Sequence, residues 1–413
     1  KQFITNAGFA DLFIVYAKVD GEKFTAFIVE RGYPGVSVGP EEKKMGIKGS
    51  STCPLNLDQV PVPVGNVLGE IGKGHQIAFN ILNIGRYKLG IGTIGACKWA
   101  IEEAVVYANQ RQQFQTPISR FPLIQKKIAD MAIRTFISES LTYRTGAYLE
   151  ESVNKIDLTG FAAKASAKAI EEHAMEYSIA KVFGSEALDF VADEGVQIHG
   201  GYGYIAEYPI EQIYRDSRIN RIFEGTNEIN RLLIPSTLFK RAMQGRLPLM
   251  AKLQSLQKEL ISFSNERPEG VLGEERRMVE AAKKIALFTG GTMVERFGPK
   301  LESQQELLEN LSNLIITVYA MDSALLRARK NAEKIGEEAA SHQINMVQVF
   351  IRDVWGQMEK WGKEILIGCH EGDELRTRLT ILKKMLRADP VNTIQLKRKI
   401  AEEIIKEEKY NSL

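Results

Sequence analysis

One carboxylate in this sequence stands where proton transfer is favoured. Glu224 follows the apolar pair Ile222-Phe223 and precedes Gly225-Thr226, just before a new helical pattern. Partial desolvation beside an apolar pair raises the pKa of a carboxyl group and makes it a better proton acceptor near neutral pH. Gly225 lets the backbone turn tightly, and Thr226 can cap the helix that follows. The alternative is a loop glutamate that faces water, so the interpretation depends on the surrounding residues.

Two further pairs combine a cation with a second recognition group. Asn83 and Arg86 lie one helical turn apart, so both side chains can leave the same face of a helix. Arg111 and Phe114 offer a guanidinium and an aromatic face, which suit a phosphate and a flat ring. The alternatives are a surface pair for the first and a solvated helix end for the second.

Glycines and an alternating pair complete the candidate binding residues. Gly200 and Gly201 would let backbone amides approach an anion or a pyrophosphate closely, although a plain connecting turn explains them equally well. Phe3 and Thr5 would share one face of a strand, where a ring and a hydroxyl could contact a flat ligand. Residues 90–95 match the dinucleotide pattern G-x-G-x-x-G, but they continue a helical pattern, which favours close helix packing instead.

Composition excludes several classes of protein. The 413 residues leave room for two or three domains, and 54 Lys and Arg against 52 Asp and Glu give no reason to expect nucleic acid. The 3 cysteines are far apart and form no C-x-x-C pair, so we predict no disulfide framework and no zinc site. His173 and Glu176 form a single H-x-x-E without a second copy, and no metal is predicted. No apolar run approaches the roughly 20 residues that cross a bilayer.

The hydrophobic pattern predicts strands first and helices afterwards. Residues 1–65 are predicted to form a partial β-barrel or sandwich, beginning with a strand over 1–6 and including a hairpin at Asp20-Gly21. Helices are predicted over about 77–108, 121–150, 160–184, 185–196 and 227–243. We therefore expect a mainly α protein with a small β-domain (1–65), an antiparallel helical bundle (66–244) and a second all-helical domain (245–413).

Taken together, these segments resemble the acyl-CoA dehydrogenase family. The resemblance runs from residue 1 to about 240, and several separate motifs follow one another in the family's order. They are Phe3-Ile4-Thr5-Asn6, Lys44-Met45-Gly46-Ile47-Lys48-Gly49-Ser50, Leu82-Asn83-x-x-Arg86, Arg111-x-x-Phe114, Gln197-Ile198-His199-Gly200-Gly201-x-Gly203-Tyr204, Arg215-Asp216 and Glu224-Gly225-Thr226-Asn227-Glu228-Ile229. On this resemblance, 1–65 matches the C-terminal part of the middle β-domain, and 66–244 matches the catalytic domain that binds FAD and acyl-CoA.

The resemblance implies an FAD enzyme that introduces a trans-2,3 double bond into a fatty acyl-CoA, the first step of β-oxidation. Glu224 matches the base that removes the α-proton while the β-hydride passes to flavin N5. Its backbone N–H, with a ribityl hydroxyl of FAD, matches the pair of donors that polarises the thioester carbonyl. Some members carry the base at the position that is Gly85 here, so Glu224 is the base that this chain offers.

The resemblance also assigns binding residues. Positions that contact FAD are matched by Phe3, Thr5, Arg111, Phe114, Gln197, Gly200, Gly201, Thr226 and Glu228. Four of these, namely Arg111, Phe114, Gln197 and Gly201, match contacts to the FAD of the neighbouring subunit. Asn83 and Arg86 match positions near the acyl-CoA, and Phe223 and Gly225 match residues that line the thioester.

The helices after residue 245 are similar to those of the very-long-chain branch, which forms homodimers and is membrane-associated in mitochondria. We therefore expect a long-chain substrate, a homodimer and electron-transfer flavoprotein as the acceptor of the electrons. Membrane association is unsupported, because no strongly basic helix with an apolar face is visible.

The family's N-terminal helical domain and the first half of its β-domain come before the position matched by Lys1, and we expect both to be missing here. This would explain why no targeting segment is visible. The expected compartment is the cytoplasm for a bacterial chain and the mitochondrion for a eukaryotic one. Two alternatives stay open, an acyl-CoA oxidase that uses O₂ and a non-catalytic assembly or structural protein of the same fold.

Overall fold

The structure is a computed structural model that describes residues 1–156, 162–259 and 268–412. Strands occupy the first part of the chain, and helices occupy most of the rest. This order confirms the predicted fold class, a mainly helical protein with a small β region at the start.

Short antiparallel strands form the β region. They are β1 (Ile4–Thr5), β2 (Leu12–Val19), β3 (Lys23–Glu30), β4 (Val36–Val38), β5 (Thr52–Cys53), β6 (Leu55–Leu57) and β7 (Val67–Leu68). β2 and β3 form the predicted hairpin, in which Asp20 and Gly21 have φ of +54° and +75°, as a type I′ turn requires. β7 extends this pair, while β1 pairs with β5 and β4 pairs with β6.

The first strand is shorter than predicted. Ile4 and Thr5 pair with Cys53 and Thr52, but Phe3 lies before the strand with φ of +55°. A left-handed residue interrupts the alternation of side chains along a strand, so the predicted common face of Phe3 and Thr5 is wrong. Both residues are exposed.

Long helices make up most of the remaining described residues. They are α1 (Gly74–Gln110), α2 (Pro122–Asn154), α3 (Ala162–Glu172), α4 (Ala174–His199), α5 (Pro209–Ser217), α6 (Asn227–Met243), α7 (Leu249–Glu259), α8 (Gly273–Phe297), α9 (Gln305–Ile335), α10 (Ser341–Cys369), α11 (Gly372–Met385) and α12 (Thr393–Glu407). The small strands β8 (Gln112–Gln113) and β9 (Thr116–Pro117) form a hairpin between α1 and α2. α1, α2 and α4 pack against one another and form the centre of the bundle.

The division of the third and fourth predicted helices is wrong. The helix is interrupted at His173, between α3 and α4, and α4 then continues through Gly184 without a break. The predicted start of the third helix at Gly160 lies outside the described residues. Gly184 allows α4 to cross α1 closely and does not end a helix. A Cβ on Gly184 would lie 3.4 Å from Gly90 Cα. A Cβ on Gly90 would lie 3.1 Å from Ala180 O. The first glycine of segment 90–95 therefore serves helix packing, as its helical pattern indicated.

One hydrophobic core runs through the bundle and the helices after residue 245. Its buried side chains include Ile101 of α1, Phe136 of α2, Met321 of α9 and Ile365 of α10. The C-terminal helices are therefore packed on the bundle and share its interior. No helix in the described ranges is long and apolar enough to cross a membrane.

A buried charge cluster crosses the same boundary. Glu139 of α2, which is 3 % exposed, accepts hydrogen bonds from Lys98 of α1 at 2.6 Å and from Arg327 of α9 at 2.7 Å. The Tyr410 hydroxyl donates to the same carboxylate at 3.2 Å. Burial would raise the pKa of Glu139, but the charges of Arg327 and Lys98 outweigh it and lower the pKa.

Candidate active site

Glu224 lies in a left-handed turn immediately before α6. Its φ is +58°, and that of Gly225 is +78°. This backbone conformation costs about 1–3 kcal/mol for a residue with a side chain, so it persists only where contacts hold it. Thr226 ends the turn as the N-cap of α6, and its hydroxyl accepts a hydrogen bond from the Ile229 amide at 3.3 Å. The predicted cap and the predicted helix are confirmed.

Three side chains hold the carbonyl oxygens of this turn. Arg86 Nε donates to Glu224 O at 3.2 Å, and Lys181 Nζ donates to Gly225 O at 2.8 Å. Asn230 Nδ2 donates to Gly225 O at 2.8 Å and to Thr226 O at 3.0 Å. The three donors come from α1, α4 and α6, so three helices together hold the strained turn.

The amides of the same turn have no protein acceptor. Across the described ranges, neither the Glu224 N–H nor the Gly225 N–H donates a hydrogen bond. A fixed backbone N–H beside a carboxylate is able to polarise a carbonyl group whose neighbouring C–H is to be deprotonated. The turn therefore presents a hydrogen-bond donor and a base next to each other.

Asn83 and Arg86 are buried, at 4 % and 7 % exposure, so their interpretation as a surface pair is wrong. Asn83 Oδ1 accepts a hydrogen bond from Arg86 Nη1 at 3.2 Å, which orients the guanidinium toward Glu224 O. Burial lowers the pKa of Arg86, while the Glu224 charge acts in the opposite direction. Sequence spacing placed the two residues on one face but did not indicate that this face is internal.

The Glu224 carboxylate occupies the space beside Gly85. A Cβ added to Gly85 would lie 2.6 Å from Glu224 Cδ, so a side chain at position 85 would displace the carboxylate. Burial raises the pKa of Glu224, whereas the charges of Arg86 and Lys181 lower it. The upward direction agrees with the sequence-based prediction.

Glu224 and Gly85 line a cleft of about 520 Å³. Phe223 lines it beside them, and apolar side chains continue it along α1 and α5, including Leu89, Trp99 and Ile213. Such a cleft accommodates an apolar chain whose reacting carbon lies near the carboxylate.

Lys181 of α4 is a site residue that the sequence analysis missed. It is 0 % exposed, and its ammonium donates to Gly225 O at 2.8 Å and to Asn227 Oδ1 at 2.7 Å. Burial lowers its pKa to about 8, and the charge of Arg86 adds to this effect. The available signal was a single lysine inside the apolar stretch Ile179–Phe183, where a cation needs a specific partner.

A second group of predicted residues lies at the other end of α1. Arg111 follows the helix and Phe114 is 89 % exposed. The His199 ring at the end of α4 stacks on Tyr107 of α1 with ring centroids 4.3 Å apart, and this contact brings the two helix ends together. Gln197, Gly200 and Gly201 are therefore at the same end of the bundle as Arg111.

This second group is open to a ligand. Arg111 and Gln197 are exposed, and a Cβ added to Gly200 or Gly201 would meet nothing within 4 Å. At 1.5 Å per residue, Arg111 is about 40 Å along α1 from Asn83. The predicted residues therefore form two groups, one around Glu224 and one around Arg111. Phe3 and Thr5 lie in the β region, and Glu228 is exposed on the first turn of α6.

Comparison with known proteins decides the family. Residues 1–60 match the middle domain of acyl-CoA dehydrogenases, and residues 72–239 and 281–384 each match a model described as the acyl-CoA dehydrogenase C-terminal domain. The chain is 54 % identical over 412 residues to a probable acyl-CoA dehydrogenase of Bacillus subtilis (strain 168), covering 99 % of this chain and 69 % of that protein. The chain belongs to the acyl-CoA dehydrogenase family. This is a family of FAD-dependent oxidoreductases.

Two other relatives define the similarity further. The human mitochondrial very long-chain specific acyl-CoA dehydrogenase is 34 % identical in an alignment of 382 residues, with a coverage of 83 % of this chain and 54 % of that enzyme. A crystal structure of an acyl-CoA dehydrogenase complexed with FAD from Bacillus anthracis matches 100 % of this chain and 70 % of that chain, with a TM-score of 0.97 and 52 % identity. This acyl-CoA dehydrogenase family member thus spans about two thirds of its bacillary relatives and about half of the mitochondrial enzymes.

Proposed function

We propose that this chain carries the catalytic base of an FAD-dependent acyl-CoA dehydrogenase that converts a long-chain acyl-CoA into its trans-2-enoyl-CoA. The observation that carries the proposal is the Glu224 turn. Its carbonyls are all bonded to protein, its two amides are unbonded within the described residues, and its carboxylate lines the cleft beside Gly85.

The chemistry follows from the acidity of the substrate. A C–H next to a thioester is too weak an acid for a carboxylate unless the carbonyl is polarised, and the Glu224 N–H supplies a donor for it. The carboxylate then takes the α-proton, and its raised pKa makes it a stronger acceptor. The apolar side chains of the cleft orient the acyl chain. FAD, when bound, supplies the acceptor for the hydride that leaves the β-carbon.

The residues present fit FAD. Arg111 offers an exposed cation for a phosphate, Phe114 offers an exposed ring for stacking, and the open backbone at Gly200 and Gly201 admits close approach of a pyrophosphate. We further assign Phe3, Thr5, Gln197, Thr226 and Glu228 to FAD, and Asn83, Arg86, Phe223 and Gly225 to the acyl-CoA side. For Arg86, the contact that supports a role in the site is its hydrogen bond to Glu224 O in the turn Glu224-Gly225-Thr226, which we call the base turn.

A homodimer accounts for the distance between the two groups of residues. Glu224 lies beside Gly85, in the first half of α1, and Arg111 follows the end of that helix about 40 Å further along. We therefore propose that Arg111, Phe114, Gln197 and Gly201 serve the FAD of a second subunit. Electron-transfer flavoprotein is the proposed acceptor, in the cytoplasm of a bacterium or the mitochondrion of a eukaryote, and turnover with it against turnover with O₂ would distinguish a dehydrogenase from an oxidase.

The test replaces the base alone. We expect Glu224→Gln to retain the visible flavin spectrum but to reduce the rate of flavin bleaching by a long-chain acyl-CoA by about 10²–10⁴-fold. Glu207→Gln, at an exposed glutamate outside the proposed site, should bleach at the parental rate. Parental bleaching in Glu224→Gln would rule out the assignment of the base.

A further inference from the structure

Lys181 is an unusual buried cation. It has no exposed surface, and no carboxylate in the described part of the chain forms an ion pair with it. Its two acceptors are neutral oxygens, Gly225 O and Asn227 Oδ1. Burying an ammonium group costs several kcal/mol, and a methionine of similar volume would fill the same space without that cost. The charge is therefore not explained by packing.

Neither acceptor needs Lys181 for its own satisfaction. Gly225 O also accepts from Asn230 Nδ2 at 2.8 Å, and Asn227 Oδ1 also accepts from the Ser185 hydroxyl at 3.3 Å. Removal of the lysine would thus leave both oxygens with a partner. What the lysine adds is a positive charge and a fixed link between α4 and the turn.

The position of that link matters for Glu224. Arg86 holds the carbonyl of the peptide that follows Glu224, and Lys181 of α4 holds the carbonyl of the next peptide together with Asn230 of α6. With both peptide planes fixed, the turn cannot relax from its left-handed conformation, and the carboxylate stays beside Gly85.

We propose that Lys181 is a positioning residue for the base: its ammonium holds the Gly225 peptide and places a fixed positive charge at the turn that carries the Glu224 carboxylate. This rests on the proposed function of Glu224 as the base. The charged groups that face Lys181 are Arg86 on α1, Glu186 on α4, Glu228 on α6 and Glu224 in the turn.

Two substitutions separate the link from the charge. Lys181→Met removes both, whereas Lys181→Gln keeps an amide donor for Gly225 O and removes the charge. In Lys181→Met we expect flavin bleaching by acyl-CoA to slow by about 10- to 100-fold, because small displacements of a reacting group have effects of this size. We also expect the acidic limb of the pH–rate profile to move to higher pH, since Glu224 loses a cation that lowers its pKa. Lys181→Gln should show the same moved limb with a rate at high pH closer to that of the parent.

The control is a second largely buried lysine. Lys397 of α12 bonds Asp130 and Asp353 at 2.9 Å and 2.6 Å, away from the base turn. Lys397→Met should leave the acidic limb unchanged even if it lowers stability. An acidic limb that does not move in Lys181→Met, or a parental rate in that variant, would overturn the proposal.

A second measurement does not depend on turnover. Infrared titration of the full chain without substrate follows the ionisation of Glu224. The carboxyl band of Glu224 is identified as the one that disappears in Glu224→Gln. The band should titrate at higher pH in Lys181→Met and Lys181→Gln than in the parent and in Lys397→Met, and an unchanged titration would overturn the role of Lys181. If the band shifts but the parent never reduces its flavin with acyl-CoA, the proposed function fails, and only the effect of Lys181 on the Glu224 carboxylate stands.

Discussion

At the scale of single residues, the base turn contains two features that lower the free energy of unfolding. Glu224 has a left-handed backbone, and Lys181 is a buried ammonium bonded only to neutral oxygens in the described structure. Strained backbones and poorly paired buried charges are both more frequent at functional sites than elsewhere. We therefore expect the region around Glu224 to be less stable than its packing would allow.

The cost of Lys181 has a defined pH dependence. Its pKa is lowered from 10.5 to about 8. Between these values the unfolded chain holds the proton and the folded chain does not, so the free energy of unfolding rises with pH across this window. Below pH 8 both states are protonated and the cost of the buried charge is present in full.

Lys181→Met should therefore be more stable than the parent below pH 8, and this advantage should shrink by up to about 3 kcal/mol as the pH rises to 10.5. Urea unfolding at a series of pH values measures the difference. A variant that is less stable than the parent at pH 7, with a difference that does not change up to pH 10.5, would contradict this account.

At the scale of elements, the crossing of α1 and α4 sets the geometry of the site, because α1 carries Arg86 and α4 carries Lys181. The two helices approach closely at Gly90 and Gly184. A larger side chain at this crossing would push apart the two helices that hold the base turn.

Two glycines of α1 provide a matched pair of substitutions. Gly90→Val places methyl groups against the Ala180 carbonyl and should destabilise the protein by about 1–3 kcal/mol. Gly95 lies in the same helix with nothing within 4 Å of an added Cβ, so Gly95→Val should change stability by less than about 0.5 kcal/mol. Thermal unfolding of both variants tests this, and equal effects would show that the crossing tolerates volume.

Much of the fold could be predicted where local signals agree with packing. The helix Asn227–Met243 was predicted to the residue because a threonine cap and a helical pattern coincide there. The helix break predicted at Gly184 is wrong, because glycine marks either a helix end or a close helix contact and the sequence does not distinguish them. The left-handed φ of Phe3 and Glu224 and the burial of Arg86 depend on distant partners and have no local signature.

At the scale of the whole molecule, the C-terminal helices are structural partners of the helical bundle. They share its core, and Arg327 of α9 reaches Glu139 inside α2. The division of the chain at residues 65 and 244 stays a prediction, and the shared core indicates that the last two parts unfold together.

The charge cluster at Glu139, Lys98 and Arg327 allows a test of whether the bundle and the C-terminal helices unfold together. Glu139→Gln removes a buried ionic partner of Lys98 and Arg327, and since both cations are partly exposed the change should cost about 1–3 kcal/mol at pH 7. Because the pKa of Glu139 is lowered, its contribution is present above the ordinary value of 4.5 and is lost as the pH falls through the folded value, so the deficit of the variant should shrink in acid.

The unfolding measurement for Glu139→Gln should show one transition for the bundle and the C-terminal helices, displaced as a unit. Glu151→Gln is the matched control, since Glu151 forms an exposed pair with Lys155 and should leave stability unchanged. Two separated transitions in Glu139→Gln, with only one of them displaced, would show that the two parts unfold independently.

The Tyr410–Glu139 hydrogen bond joins residues 271 positions apart. During protein synthesis, α2 is made long before its final partner, and at usual elongation rates the interval is about 15–55 s. Arg327 of α9 follows Glu139 by 188 residues, so for about 9–38 s of that interval a carboxylate destined for the interior has neither its α9 nor its C-terminal partner. Nascent chains that have passed α2 but not yet α9 should therefore be the stage at which this protein most needs a chaperone on the ribosome.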